Sequence, residues 1–258
     1  MELCEENYFS PEMEQKYCGS TQFKRLCECP AKAMAILNGE WIEKKTPSMM
    51  IGSYVDAAIS GTLDIFKAKN PEIFKKDGTL KAEFVKAEQI VNAIENDEMF
   101  NKYVSGNNQR IFTGEIEGLP FKVKADSYFE DKNVCVDLKV LKDFEYIWNN
   151  NTKERENPID YWKYTWQAAI YSEIIRQNTG KLPKFFIAAI TKEEYPDKEI
   201  MNISEQDLLI NLEIIKSMIP MVKDIKEGKA EAVKCGKCDY CKATKKVTHI
   251  IDYRNLGF

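Results

Sequence analysis

The chain of 258 residues has a single histidine, His249, so a site built from several imidazoles is excluded. No apolar run approaches the roughly 18 residues that a membrane-spanning helix needs. The opening MELCEENYFSPEMEQKY is acidic and lacks the basic and apolar regions of an export signal. Both absences point to a cytoplasmic location with no membrane partner. There is no internal repeat and no low-complexity segment. Neither charge dominates: 37 Lys and Arg against 41 Asp and Glu leave a net charge of −4. That balance does not suggest nucleic acid, although a local basic groove can exist in an acidic whole. A composition 44% hydrophobic and 11% aromatic is that of a globular protein able to bury a core.

Cysteine is present in number. Eight in a chain of this length, without an export signal, argue against a disulfide scaffold. They are clustered, with Cys18, Cys27 and Cys29 near the start and Cys235, Cys238 and Cys241 within KCGKCDYCK. A C-x2-C-x2-C run can present three thiolates to one metal centre, leaving a fourth ligand to come from afar. Cys29, in CECP, is the first candidate for that fourth ligand. A zinc site completed by Cys27 or His249 is the rival reading, and unligated reduced thiols are the plain one.

Local patterns give the plan of the chain. Ser20 and Thr21 are candidate N-caps for a helix, Pro30 opens a second helical stretch and Gly39 ends it. A helix is expected over 46–71, with Met50, Val55, Ala58, Ile59 and Leu63 as its apolar positions. A longer amphipathic helix is expected over 78–104, with Phe84, Ala87, Ile90, Val91 and Ile94 on one stripe. The period then changes to two. Strands at 110–117, 120–129 and 133–141, joined by EGLP and EDKN turns, form an antiparallel meander. A helix over 159–180, a short buried strand over 184–191 and a helix over 204–228 follow. Ser204 caps the last of these and Pro220 is expected to kink it. The class is α+β. Residues 1–16 read as a tail, 17–228 as one domain and 229–258 as a cysteine tail packed on it.

The chemistry starts at VCVDLKVLKDF, residues 134–144. Strand alternation sends Asp137 and Lys139 to one side and Val136, Leu138 and Val140 to the other. An isolated D-x-K is most simply a solvated strand face. The preceding strand, FKVKADSYF, carries Asp126, which a tight turn would bring beside Asp137 and Lys139. Two carboxylates across a strand pair repel unless a cation lies between them. Hard divalent ions take such oxygen ligands.

D-x(10)-D-x-K on a hairpin resembles the PD-(D/E)XK nuclease superfamily. The flanking GSYVDAAISG, TGEIEGLPFKVKADSYF and YWKYTWQAAIYSEII resemble its RecB-like branch, most of all phage and prophage exonucleases of the RecE (exodeoxyribonuclease VIII) type. The resemblance spans about residues 18–245 and implies a restriction-endonuclease-like core, its meander extended to a mixed sheet flanked by helices. It implies Asp126 and Asp137 as ligands of Mg²⁺ or Mn²⁺, a contribution from the Leu138 carbonyl, and Lys139 as the catalytic lysine. Gln167 and Tyr171 match a Q-x3-Y motif that lies beside the active site and contacts DNA, and helical spacing puts Tyr164 on the same stripe. Asp56 stands where many relatives carry histidine, and Glu115 where they often have an acid near the metal. Lys122, Lys124, Lys139 and Lys142 would flank the site with positive charge.

The same resemblance extends to cofactors and partners. A Cys-Pro near the N-terminus joined to a C-terminal triplet resembles the [4Fe–4S] clasp of AddB-type helicase-nucleases and CRISPR-associated RecB-like exonucleases. Those relatives generally space the last two cysteines further apart. DNA, most simply duplex ends, is the implied substrate. A phage single-strand annealing protein is an implied partner, and ring-shaped homo-oligomers occur among such relatives. The expected activity is metal-dependent exonucleolytic hydrolysis; the alternatives are a non-catalytic DNA- or protein-binding module on the same fold, and a cysteine-cluster adaptor.

Overall fold

The computed structural model describes residues 2–255. Before the sheet come α1 (Pro11–Lys16), α2 (Ser20–Glu28), α3 (Pro30–Leu37), α4 (Pro47–Ile59), α5 (Leu63–Lys69), α6 (Ala82–Glu95) and α7 (Glu98–Val104). Two of these breaks divide what hydrophobic periodicity reads as single helices. Gly61, with φ +73°, turns the chain between α4 and α5. Between α6 and α7 the Asp97 carboxylate accepts the Phe100 N–H at 2.9 Å and so starts a new helix. Capping chemistry overrides periodicity at both points.

The expected meander is present as β1 (Asn107–Ile116), β2 (Leu119–Phe129) and β3 (Val134–Leu141). Its first turn is the two-residue Glu117–Gly118, both at positive φ, which suits the twist of a hairpin. A small hairpin follows, β4 (Ile147–Asn149) with β5 (Glu154–Glu156), and then α8 (Pro158–Tyr161) and α9 (Tyr164–Thr179). Lys163, at φ 52°, separates the two helices where one was expected. The chain then forms β6 (Lys184–Thr191), β7 (Lys198–Ile203), α10 (Glu205–Lys226) and α11 (Asp239–Ala243). The β4–β5 hairpin and β7 are not foreseen from sequence; both are short and rich in charge. The Ser204 hydroxyl caps α10, which passes through Pro220 as one helix.

The main sheet has the order β1-β2-β3-β6-β7, antiparallel throughout except for the parallel β3–β6 pair. A parallel pair needs a long crossover, and α9 lies within it. Helices cover both faces. Residues of α2, α9 and α10 build one core with Phe121, Val123, Cys135 and Phe185. Residues of α4, α6 and α7 build the second with Val136, Ala188 and Ile190. β3 is therefore buried on both sides, and Asp137 is 2% exposed, so its face is not solvated. Within α9, Ile170, Ile174 and Ile175 are fully buried. Each contributes about 1.5–3 kcal/mol of transfer free energy. This is the restriction-endonuclease-like α+β arrangement expected.

Residues 1–16, read as a tail, include α1, whose Met13 is completely buried. Lys122 on β2 is 1% exposed and ion-paired with Glu14 at 2.7 Å, and its ammonium also donates to the Tyr8 carbonyl. The expectation that Lys122 flanks DNA is thereby corrected: its charge is spent holding the N-terminal segment on the sheet.

Candidate active site and cysteine centre

The β2–β3 ladder ends at Ser127 opposite Val136, while β3 stays paired with β6 from Val134 to Leu141. Asp126 is the first β2 residue past the split, and Asp137 remains inside β3 opposite Ile187. The fork aims the two carboxylates differently. Asp126 Oδ2 accepts the Leu138 backbone N–H at 3.0 Å. Asp137 Oδ1 accepts from Gln167 Nε2 of α9 at 2.7 Å, and its Oδ2 meets the Lys139 ammonium at 2.5 Å. Gln167 is thus the partner that a polar amide within an apolar helix required.

Burial of Asp126 raises its pKa well above the usual carboxylate range, and the charges of Asp137 and Asp56 push it further. Asp56, also raised chiefly by burial, completes this acidic group. At Lys139 burial works against the charge, but the facing carboxylates of Asp137 and Asp126 outweigh it and the ammonium is held firmly protonated.

Asp56 is reached from β1 through Gln109. Gln109 lies at φ 60° and is skipped in the β1–β2 register, which runs from Asn108–Ser127 to Arg110–Ala125. Its left-handed backbone interrupts the ladder opposite Asp126 without adding a residue, and Gln109 Nε2 donates to Asp56 Oδ1 at 3.4 Å. Nothing in the sequence marks this contact.

One expectation is corrected and two are narrowed. Glu115 does not reach the site: the tight Glu117–Gly118 turn sets it opposite Pro120, six residues along β2 from Asp126, or about 20 Å. Tyr171 does lie beside Asp137 and Asp126: burial raises its pKa and their charges add to that, but it is 8% exposed, with its ring edge-on to Phe185 and centroids 6.3 Å apart. The lysine flank is assembled only in part: Lys139 pairs with Asp137 and the charge of Lys124 reaches Asp56. Lys124 lies over the Tyr8 and Phe9 rings, and the exposed Lys142 pairs with Asp143 at 2.8 Å.

A different lysine arrives from α2. Lys24 and Lys139 lie over the same Tyr164 ring, 5.4 and 5.0 Å from its centroid. Lys24 donates to the Trp162 carbonyl at 3.3 Å and faces a cleft of about 660 Å³ that runs on to Cys235 and Cys238. Burial, with the neighbouring Lys139 charge, brings its pKa down to about 8. Sequence reasoning passed over Lys24 because it sits in an ordinary helix 115 positions from Lys139.

The cysteine tail closes on α3. Cys29, Cys235, Cys238 and Cys241 have all their sulfurs within 4.8 Å of one another. Cys29 Sγ lies 3.6 Å from Cys241 Sγ and 3.7 Å from Cys238 Sγ, and Cys235 lies 3.9 Å from Cys241. Backbone N–H groups of Lys237 and Cys238 on its sulfur are the main reason the Cys235 thiol falls to about 6. The Cys241 N–H also approaches Cys238 Sγ, at 3.4 Å. Amides turned onto thiolate sulfur suit metal ligation. Cys27 is outside this group and His249 lies on an exposed stretch, so Cys29 is the fourth member. It is the one group of three or more Cys, His, Asp or Glu among the described residues whose ligand atoms converge so closely.

Residues 19–244 match the family model described as a PDDEXK-like domain of unknown function (DUF3799). The chain belongs to this PDDEXK-like family. Its structure is similar to a crystal structure from Eubacterium rectale described provisionally as an exonuclease, at 37% identity and a TM-score of 0.95 over all of both chains. The PDDEXK-like chain also aligns with the crystal structure of SSO0001 at 9% identity and a TM-score of 0.31, over 86% and 91% of the two chains, which carries no argument. No curated protein matches it. Family membership and the E. rectale relative support a nuclease-family function for this PDDEXK-like domain. No helix of its described residues is long and apolar enough to cross a membrane.

Proposed function

We propose that the protein is a divalent-metal-dependent DNA exonuclease of the RecE-like type, acting from duplex ends. The observation that carries this reading is the fork that gathers Asp126, Asp137 and Lys139 within reach of Gln167. The donors fit a hard cation: Mg²⁺ takes one or two carboxylates and keeps its waters, and a cation relieves the repulsion raising Asp126. When bound by Asp126 and Asp137, with the Leu138 carbonyl, Mg²⁺ or Mn²⁺ supplies Lewis-acid stabilisation of the phosphoryl group and a more acidic water.

The chain's own residues do the positioning. Gln167 holds one Asp137 oxygen, so that carboxylate keeps its orientation when Lys139 leaves the other for substrate. Lys139, held protonated, acts as a cation against the phosphate or the attacking water rather than as a base. Lys24 offers a second cation over Tyr164, where a neighbouring phosphate needs one. Gln109 steadies Asp56 at the rim.

End-labelled linear duplex and covalently closed duplex, each incubated with Mg²⁺, test the reading. Release of label from the linear form, an intact closed form and full inhibition by EDTA are expected. Undiminished cleavage in EDTA overturns the carboxylate mechanism, and cutting of the closed form overturns the requirement for ends.

The cysteine centre has two readings. The resemblance favours a [4Fe–4S] cluster. The sulfur separations favour a single zinc ion, because thiolates 2.3 Å from one tetrahedral ion lie about 3.8 Å apart, whereas a cubane holds each thiolate on a different iron and spreads them. Anaerobically purified protein that is brown, with broad absorbance near about 400 nm, supports the cluster. Colourless protein with one zinc per chain supports the ion.

A further inference from the structure

The nuclease reading leaves unused a groove on the helix layer opposite α9. Its cavity, about 380 Å³, is floored by Met99 and Tyr103 of α7, Phe129 of β2, Val134 of β3 and Phe186 of β6. All but Met99 pack on the second core, and Met99 stands 62% exposed at the mouth. Three exposed lysines rim the floor: Lys102 on α7, Lys132 in the β2–β3 turn and Lys184 at the start of β6. None of them forms an ion pair among the described residues, and no carboxylate lines the groove. The three ammonium charges therefore face the groove with no counter-charge from its lining.

Cations and apolar floor must be satisfied together. A nucleic-acid backbone answers the lysines and leaves the floor wet. An apolar small molecule covers the floor and leaves the ammonium groups without counter-charge. Three cations on three separate elements suit an extended chain carrying several carboxylates, with one apolar side chain for the floor. An exposed methionine at the mouth adapts to the shape of such an anchor.

We propose that this groove docks an acidic peptide segment of a partner protein, one aromatic or aliphatic side chain seated on the Tyr103–Phe186 pair and its flanking carboxylates on Lys102, Lys132 and Lys184. The proposal is independent of the nuclease reading, since none of these residues belongs to the active site.

The test is fluorescence anisotropy of a labelled Asp-Asp-Asp-Phe-Asp-Asp peptide titrated with the full chain at low salt. Saturable binding is expected, weakened at least tenfold when Ser replaces the peptide's Phe. The same loss is expected in the Lys102→Glu/Lys184→Glu variant, with a graded loss in Lys102→Ala/Lys184→Ala. Charge reversal at the distant exposed Lys76 (Lys76→Glu) should leave binding unchanged, and melting temperatures confirm that each variant folds. Failure of the wild-type chain to bind, equal binding of the Ser peptide, or binding that survives both lysine variants overturns the proposal. So does displacement of the peptide by a 20-base-pair duplex whose own affinity falls in the same variants, which would assign these lysines to DNA.

Discussion

Asp137 has both oxygens committed, one to Gln167 and one to Lys139, inside a strand covered on both faces. Removing the ammonium therefore costs more than a surface charge would. Lys139→Ala is expected to lower turnover by roughly 10²–10³, the usual range for losing one electrostatic donor at the reacting group, while DNA binding in Ca²⁺ survives; steady-state cleavage beside a Ca²⁺ binding assay checks both. A wild-type rate would return Lys139 to an ordinary strand charge. Lys24 makes a pH-dependent prediction. With its pKa at about 8, the amine is charged below that pH and loses its proton as pH rises through it. DNA affinity measured in Ca²⁺ should fall between about pH 7 and pH 9, and Lys24→Arg, whose guanidinium stays charged, should flatten the profile. Lys24→Ala should weaken binding at neutral pH and reduce the salt slope by about one phosphate contact. An unchanged slope and profile would remove Lys24 from the substrate path.

At the scale of elements, the site depends on how closely α9 lies on the meander. Gly114 on β1 is where they meet: a Cβ there would stand 2.4 Å from Gln177 Oε1 and 3.0 Å from Ile174 Cδ1. Gln177 cannot simply swing away, because it accepts the Glu115 N–H at 3.0 Å and donates to the Glu115 carbonyl at 2.8 Å. Gly114→Ala should therefore destabilise the protein by about 1–3 kcal/mol, the usual penalty for overpacking. A thermal melt checks it, and an unchanged melting temperature would show that α9 shifts without cost. Since α9 also carries Gln167, turnover should fall along with stability.

Across the whole molecule, the cysteine centre ties the start of α3 to α11 and the stretch before it, and closes a loop of about two hundred residues. By loop-closure entropy a link of that length is worth about 5 kcal/mol. Cys238→Ser should lower the melting temperature by roughly 10–20 °C, since 1 kcal/mol corresponds to about 2–4 °C at this size. Bound metal should be lost with it, and cleavage should fail only as the fold does. Elemental analysis beside a melt checks both, and a metal-free variant of unchanged stability would show that these thiols hold nothing.

The sequence by itself determined the α+β plan, the meander, the D…D-x-K order and the cysteine run with Cys29 as first candidate. These rest on periodicity, turn residues and short spacings, all of which are local. It also pointed at Gln167, because a lone amide in an apolar stripe needs a partner. The tertiary structure alone decided the rest. It alone could bring Lys24 beside Lys139 and direct Gln109 to Asp56 from a left-handed position on β1, since neither contact leaves a spacing to read. It took Glu115 away from the site by hairpin register, and it buried Tyr171 beside Asp137 and Asp126. It turned Lys122 from a surface charge into the anchor of the N-terminal segment. In each case side chains far apart in sequence meet because of strand register and helix docking, which a one-dimensional pattern does not contain.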